Sequence, residues 1–177
     1  AGEYQPYSGQ VSCLQADPGH FVQSQGEERQ EECQPGGYQP YSGQQNCINA
    51  DPGYFVDFAM ATSQTPCPSG TYNPSYSAIN QSSCLESEEG YFVATEGSAV
   101  QDKCAPGTYQ PSPGQSNCLE ADPGFFTSSE ASSSQEECAP GTYQPSPGQS
   151  NCLEADPGFF VPEAGQSQQT PAPFDQF

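Results

Sequence analysis

The chain has 177 residues, of which only 32% are hydrophobic, and it contains 18 glycines, 19 prolines and no tryptophan. This composition excludes one large apolar core and is typical of small extracellular domains in which disulfides substitute for burial. Two basic residues oppose 22 acidic ones, and the formal charge of −20 disfavours nucleic acid and anionic lipid as partners.

The cysteines and the hydropathy indicate where the protein resides. Nine regularly spaced cysteines fit an oxidising exterior better than a cytosol. No apolar run is long enough to cross a bilayer, and no signal peptide opens the chain. We therefore expect an extracellular or cell-surface protein without membrane insertion, whose signal peptide has been removed at Ala1.

Glycine sets the repeat frame along the chain. Frame glycines recur every 17 residues, with one step of 20, at Gly2, Gly19, Gly36, Gly53, Gly70, Gly90, Gly107, Gly124, Gly141 and Gly158. Two positions after each comes an aromatic residue: Tyr4, Phe21, Tyr38, Phe55, Tyr72, Phe92, Tyr109, Phe126, Tyr143 and Phe160. A proline usually precedes the glycine, which predicts a turn with positive φ. We expect the aromatic to be the core residue of each repeat, so that the aromatics form a ladder.

Repeats of two types alternate on this frame. Cysteine repeats carry a cysteine three positions before the frame glycine and another near its far end, whereas acidic repeats have an Ala-Asp-Pro-Gly type of turn and no cysteine. Alanine or serine and glutamine replace both cysteines together, as in Ala121 and Gln135, which indicates that the two positions face each other. The predicted disulfides are therefore Cys33–Cys47, Cys67–Cys84, Cys104–Cys118 and Cys138–Cys152. Each stabilises its loop by about 3 kcal/mol.

Two questions about the cysteines stay open. Pairing across the acidic segments, beginning with Cys13–Cys33, is the alternative to the predicted set, but it leaves the joint replacement unexplained. Cys13 has no partner in the predicted set, so it forms an intermolecular bridge, stays a free thiol, or belongs to a longer array.

The predicted fold is a small, disulfide-rich, mostly irregular and β repeat rod with little or no helix. About ten 17-residue turn units, forming 34-residue double repeats, stack linearly. Strands are short, and only the polar stretches 24–32 and 128–137 are able to form a helical turn. The predicted segments are a partial first unit (1–15), four repeats, and a cysteine-free unit with the tail (155–177). The four repeats span 16–49, 50–86 (with a three-residue insertion), 87–120 and 121–154.

The cysteine repeats resemble those of ephrin receptors and tumour-necrosis-factor receptors. The resemblance rests on Cys-x-Pro-Gly-Thr-Tyr followed by a distant cysteine, in Cys104, Gly107, Tyr109 and Cys118 and again in Cys138, Gly141, Tyr143 and Cys152. It implies elongated, loop-rich extracellular rods held by disulfides. Alanine at 121 replaces a junction cysteine of such modules, so the resemblance implies rod building more than receptor-like ligand binding.

Catalysis and cofactors find little support in the sequence. The single histidine, His20, occupies a slot filled by Tyr54, Phe125 and Phe159 in other repeats, and no catalytic set or metal-spaced cluster is visible, so we expect no enzyme and no cofactor. Calcium is the one ion considered, because acidic residues recur beside the turns, but turn capping by the aspartate is the favoured interpretation. These residues are Glu120, Asp122, Glu154 and Asp156.

Two further features carry predictions. Asn80-Gln81-Ser82 is an acceptor sequence for N-glycosylation in the single inserted loop. The tail keeps the repeat phase and places Phe177 in an aromatic slot, so Phe174 and Phe177 are predicted subunit contacts.

Two functions follow from the pattern. The first is a structural extracellular protein whose subunits associate head to tail into a cell-surface or extracellular filament or stalk. The alternative is a receptor-like or adhesin-like ectodomain that binds a protein or glycan ligand, with the insertion 73–81 as its distinguishing feature.

Overall fold

A computed structural model describes residues 1–173, so the predicted subunit contacts Phe174 and Phe177 lie outside the described residues. The chain divides into two compact units. The first comprises Ala1–Leu85 with Thr95–Val100, and the second comprises Glu86–Ala94 with the residues from Gln101 onward.

The regular structure is almost entirely short antiparallel strand pairs, because proline and glycine interrupt the chain every few residues. In chain order the pairs are β1 (Glu3–Tyr4) with β2 (Leu14–Gln15), β3 (His20–Phe21) with β4 (Glu31–Glu32), β5 (Gly37–Tyr38) with β6 (Ile48–Asn49), β7 (Tyr54–Phe55) with β8 (Thr65–Pro66), and β9 (Thr71–Tyr72) with β10 (Leu85–Glu86). They continue with β11 (Tyr91–Phe92) and β12 (Asp102–Lys103), β13 (Thr108–Tyr109) and β14 (Leu119–Glu120), β15 (Phe125–Phe126) and β16 (Glu136–Glu137), β17 (Thr142–Tyr143) and β18 (Leu153–Glu154), and β19 (Phe159–Phe160) and β20 (Thr170–Pro171).

Helix is confined, within residues 1–173, to one 3₁₀ turn at Gln81–Ser83. The expectation of a helical turn within 24–32 or 128–137 is wrong. Both stretches end in a strand, β4 and β16, because their last acidic residues pair with the aromatic strand that opens the same repeat.

Each repeat opens with a tight turn at its frame glycine. The N–H of Phe125 donates to the carbonyl of Asp122 at 2.9 Å, which closes a four-residue turn over Pro123 and Gly124. Gly124 has φ of +87°, and the combination of proline and then a left-handed glycine is that of a type II turn. The turn reverses the chain so that the strand after it can pair with the end of the repeat.

The buried core consists of residues that precede and follow the frame aromatic in the sequence. The positions three before and three after the frame glycine are almost fully buried in all repeats except at Gln5 and Ala155, which are partly exposed; Cys104 and Val93, for example, are both 0% exposed. Their other occupants are small or linear side chains: Ala16, Val22, Cys33, Gln39, Ala50, Val56, Cys67, Asn73, Ser87, Gln110, Ala121, Thr127, Cys138, Gln144 and Val161.

The expectation that the frame aromatics form the core is therefore wrong for most repeats. Phe55 is buried, at 6% exposed, but the other frame aromatics keep part of their rings in solvent, and Phe160 is 41% exposed. Backbone hydrogen bonds draw neighbouring repeats together, so cysteine, alanine, valine or an extended amide side chain fits the interior. The wider ring remains at its margin.

The predicted fold class is confirmed. Each unit consists of stacked small repeats of hairpin strand pairs with two disulfides, and residues 1–173 contain almost no helix.

Candidate functional site

The junction between neighbouring repeats is the most uniform feature of both units. In the second unit, the N–H of Gly107 donates to the carbonyl of Thr127 at 2.8 Å, and the N–H of Gln110 donates to the carbonyl of Ser132 at 3.0 Å. Equivalent bonds, from the frame glycine to the carbonyl three positions beyond the next frame glycine, leave Gly2, Gly19, Gly36, Gly53, Gly90, Gly124 and Gly141. At each of these junctions, one face of a repeat thus presents donors that match the acceptors on the facing side of its neighbour.

Glycine is required at these junctions for two reasons. Gly107 has φ of +89°, which L-residues with a side chain rarely adopt. A Cβ atom added there would also lie 2.3 Å from the carbonyl oxygen of Gly148 in the next repeat but one, so any side chain would force the backbones apart. The frame glycine is therefore the point at which repeats approach most closely.

Disulfides close the cysteine repeats. The structure joins the pairs that the spacing predicts, with Cα–Cα distances between 5.6 Å and 5.8 Å. The pairs are Cys33–Cys47, Cys67–Cys84, Cys104–Cys118 and Cys138–Cys152. The first cysteine of each pair is fully buried, and the second lies nearer the surface. Each bridge therefore connects the interior of a repeat to its outer loop.

An amide–carboxylate pair, here called the clasp, closes each acidic repeat at the same place. In one of them, Gln135 accepts a hydrogen bond from the N–H of Asp122 at 2.7 Å and donates from Nε2 to the Asp122 carboxylate at 2.7 Å. The two-point bond recurs in every acidic repeat, as Asp17–Gln30, Asp51–Gln64, Glu88–Gln101 and Asp156–Gln169. The glutamine occupies the frame position of the second cysteine, so the clasp is the non-covalent counterpart of the disulfide.

Sequence reasoning found the joint replacement of the cysteines but missed the clasp. The missed signal was the third position involved, two before the frame glycine. It is acidic in each acidic repeat, whereas the cysteine repeats hold Gln34, Pro68, Ala105 and Ala139 there. An acidic residue that appears only where the glutamine appears indicates a bond between the two.

The clasps also give the acidic residues a structural role. The carboxylates of Asp122 and Asp156 each accept the amide hydrogen of a glutamine, while Glu120 and Glu154 belong to β14 and β18. Within residues 1–173 no group of three or more His, Cys, Asp or Glu side chains is arranged to hold a metal ion. Calcium binding stays a prediction.

The cysteine repeats bury an amide of their own. Gln110 is 4% exposed, and its Nε2 donates to the carbonyl of Asn117 at 2.7 Å while its Oε1 accepts from the N–H of Ser112. Gln39 and Gln144 make the same pair of bonds. In the acidic repeats valine or threonine occupies this position, so a disulfide accompanies a buried amide and a clasp accompanies a β-branched side chain.

The remaining predicted residues are scattered over the surface. Cys13 is an exposed free thiol. His20 lies in β3 opposite Glu32, and its Nδ1 is 3.2 Å from the carbonyl oxygen of Pro18. Asn80 is exposed at the start of the 3₁₀ turn. The structure does not bring these side chains into one site.

A groove of about 810 Å³ lies in the first unit, between the acidic repeat around Gly19 and the cysteine repeat around Gly36. Gly37 is one of its lining residues and stands in place of the threonine found in the other complete cysteine repeats, at Thr71, Thr108 and Thr142. Phe21, Gln23, Glu31, Asn46 and Asn49 are among the residues that line it. An aromatic ring surrounded by amides and carboxylates is a surface able to accept polar groups of a ligand.

Charge is distributed over the surface and rarely paired. Lys103 Nζ lies 3.4 Å from a carboxylate oxygen of Glu130, and both side chains are more than half exposed, so this ion pair adds little stability. Tyr38 packs against the buried cluster of Ala50, Val56 and Ala61. Burial raises the pKa of the Tyr38 phenol, and the negative charge of Asp51 and the phenol of Tyr41 act in the same direction.

Comparison with known protein families finds a match for part of the chain. Residues 90–138 match the family model described as tyrosine-protein kinase ephrin type A/B receptor-like. The matched segment contains the Cys104–Cys118 disulfide and ends at Cys138. No curated protein matches the chain.

These findings indicate the setting of the protein. The similarity of residues 90–138 to a cysteine-rich, ephrin-receptor-like repeat, together with the four disulfides, points to an extracellular or cell-surface location. The likeness to tumour-necrosis-factor receptors stays a prediction. The structure has no helix, within residues 1–173, whose length and apolarity would let it cross a membrane.

Proposed function

We propose that this chain is a structural, non-catalytic extracellular array whose repeats continue head to tail from one molecule to the next, forming a filament or stalk. The observation that carries the proposal is the complementarity of the two faces of a repeat. The donors at Gly107 and Gln110 meet the acceptors at Thr127 and Ser132, and the same geometry recurs at the other junctions.

The chemistry of the junction supports repeated addition. The bonds run from backbone to backbone, so they depend on the fold of a repeat rather than on the identity of most side chains. A contact that joins one face to the opposite face of the next molecule leaves a free face at each end, so it extends into a fibre unless its rotation closes a ring.

The acidic surface is compatible with such assembly at sufficient salt. With a formal charge of −20, like charges repel when two molecules approach. At roughly 0.15 M salt the Debye length is about 8 Å, so surface charges are screened while the hydrogen bonds at a junction are not. Assembly should therefore become stronger as salt increases.

The test is sedimentation and electron microscopy of the purified chain over a range of concentration and salt. Cys13→Ser separates disulfide-linked species from the proposed junction and should still assemble. Val161 occupies the frame position of Gln144, whose N–H donates to the next repeat at 3.1 Å. Val161→Pro removes the equivalent N–H and should abolish assembly, whereas Val161→Ala keeps it. A monomer at all concentrations, or equal assembly by both Val161 variants, contradicts the proposal.

A second candidate is an ectodomain that binds a protein or glycan ligand. The ephrin-receptor-like match and the groove at Gly37 favour it. Gly37→Thr restores the residue of the other cysteine repeats, and a Cβ atom there lies no closer than 3.5 Å to Cys47 Cβ, so the fold should tolerate it. Any ligand found by screening immobilised glycans and cell-surface proteins should lose affinity for this variant. Unchanged binding would remove the groove as the site.

A further inference from the structure

We propose that Asn80 is an N-glycosylation site, modified on its side-chain amide by an oligosaccharide. The acceptor sequence requires serine or threonine two positions after the asparagine and excludes proline between them. Asn80-Gln81-Ser82 satisfies both conditions. Asn73 is followed by Pro74, and the remaining asparagines lack the hydroxyl residue, namely Asn46, Asn49, Asn117 and Asn151.

The structure presents this asparagine in a suitable conformation. Asn80 is exposed and extended, with φ of −165° and ψ of 167°, and its side chain makes no capping hydrogen bond to the 3₁₀ turn. The hydroxyl of Ser82 donates to Asn80 Oδ1 at 2.5 Å, which holds the two acceptor residues side by side. The hydrogen bonds of this exposed residue therefore use its oxygen atoms, and none of those recorded within residues 1–173 uses Nδ2.

Asn73, in the same loop, is unsuitable as a glycan acceptor. Asn73 is 1% exposed, and its Nδ2 donates to the carbonyls of Tyr54 and Ser75 at 3.1 and 3.2 Å. Burial and both bonds would be lost if a glycan were attached there. The inserted loop thus contains one buried structural asparagine and one exposed acceptor.

The modification requires a lipid diphosphate-linked oligosaccharide as its co-reactant. A bond forms between Asn80 Nδ2 and the C1 atom of the first sugar, while the bond from C1 to the diphosphate oxygen breaks. The lipid diphosphate leaves with the electron pair, and the amide nitrogen gives up one proton. No oxidation or reduction takes place.

The glycan would cover an apolar part of this repeat. Tyr76 and Ile79 are 68% and 55% exposed and precede Asn80 by a few residues. A branched, hydrated chain on Asn80 would shield both side chains and hinder side-by-side association of molecules at this repeat. The inference does not depend on head-to-tail assembly, which would use the repeats at the two ends of a molecule rather than this internal loop.

The test is secretion of the full chain from a eukaryotic cell line, followed by mass spectrometry before and after treatment with an N-glycosidase that converts the modified asparagine to aspartate. The wild-type protein should lose mass on treatment and show this conversion at position 80 and at none of the other asparagines. Asn80→Gln and Ser82→Ala should abolish the shift, while Ser82→Thr and the neighbouring Ser83→Ala should retain it.

Mass spectrometry of the wild-type peptide that contains Asn80 tests the proposal even if a variant is not secreted. An unmodified Asn80 in the secreted wild-type chain overturns the proposal. A mass shift that persists in Asn80→Gln also overturns it, because the sugar would then lie on another residue.

Discussion

The two kinds of repeat close equivalent hairpins with different chemistry. The cysteine repeat around Gly107 is closed by the Cys104–Cys118 disulfide, whereas the acidic repeat around Gly124 is closed by the clasp between Asp122 and Gln135. Both have the same Pro-Gly turn, the same hairpin register and the same junction bonds. The comparison shows that the 17-residue frame specifies the fold of a repeat. The closing bond, whether disulfide or clasp, adjusts the stability of that repeat and its response to the environment.

The two closures should differ most in energy. A disulfide that closes a loop of about 15 residues contributes roughly 3 kcal/mol. Two hydrogen bonds near the surface contribute about 1 kcal/mol each at most, since both groups bond to water when the repeat opens. Alternation places a covalently closed repeat beside every hydrogen-bonded one.

The largest expected effect is that of removing a disulfide. Cys104→Ala with Cys118→Ala should lower the free energy of opening at that hairpin by about 3 kcal/mol, measured from hydrogen exchange of the Ala121 amide, which donates to the carbonyl of Gly107. Using glutamine at 118 and adding Ala105→Asp rebuilds a clasp and should restore about 1 kcal/mol. Equal exchange in the three proteins would show that the closure is irrelevant.

Breaking a clasp should have a smaller effect. Gln30→Ala removes both bonds to Asp17, whose distances are 2.7 and 2.8 Å, and should cost about 1 to 2 kcal/mol at the Cys33 amide in the same hydrogen-exchange measurement. Gln25→Ala is the matched control, because Gln25 is an exposed glutamine of the same repeat. If the two variants behave alike, the clasp contributes nothing.

A stabilising substitution is expected where an acidic repeat lacks the glycine that most repeats have at a left-handed backbone position. Seven positions after the frame glycine the backbone is left-handed, and most repeats have glycine there, but Ala131 has φ of +55° and Met60 has φ of +60°. Ala131→Gly relieves this conformation and should raise stability by about 0.5 to 1 kcal/mol in urea unfolding. The matched control, Gly148→Ala, introduces the strain into a cysteine repeat and should destabilise by a similar amount.

The smallest effect concerns pH at one contact between the repeat types. Burial raises the pKa of Tyr38 above 10.0, so the folded state favours the neutral phenol. This contribution to stability is present below pH 10 and is lost as the pH rises through the folded pKa. Ultraviolet titration of wild type and Tyr38→Phe should reveal one late-ionising tyrosine, and Tyr38→Phe should be less sensitive to alkali. An ordinary or early titration of Tyr38 would contradict this account.

Much of the fold could be predicted because it depends on local signals. Proline and glycine at fixed spacing specify the turns, and paired replacement of cysteines specifies which positions face each other. The burial of Gln110 could not be predicted in the same way, since it depends on how closely neighbouring backbones approach. That approach also decides that Tyr109 is only partly buried while Cys104 is completely buried. The clasp of Gln135 does have a sequence signal, the acidic residue at 122, but one that is read only by comparing the two kinds of repeat.

The candidate sites were less predictable than the fold. Asn80 follows from a short motif, but its exposure and its bond to Ser82 come from the structure. The groove at Gly37 is lined by residues of two repeats and by Ser77, and the sequence alone does not show that these residues lie together.

The most direct test of the shared frame is to place a disulfide where nature has a clasp. Ala121→Cys with Gln135→Cys puts two thiols at the positions that the cysteine repeats bridge, and mass spectrometry of non-reduced peptides would show how they pair. The account predicts a bond between positions 121 and 135 while Cys104–Cys118 and Cys138–Cys152 remain intact. Free thiols at both positions, or exchange with Cys118 or Cys138, would contradict the claim that both kinds of repeat share one frame.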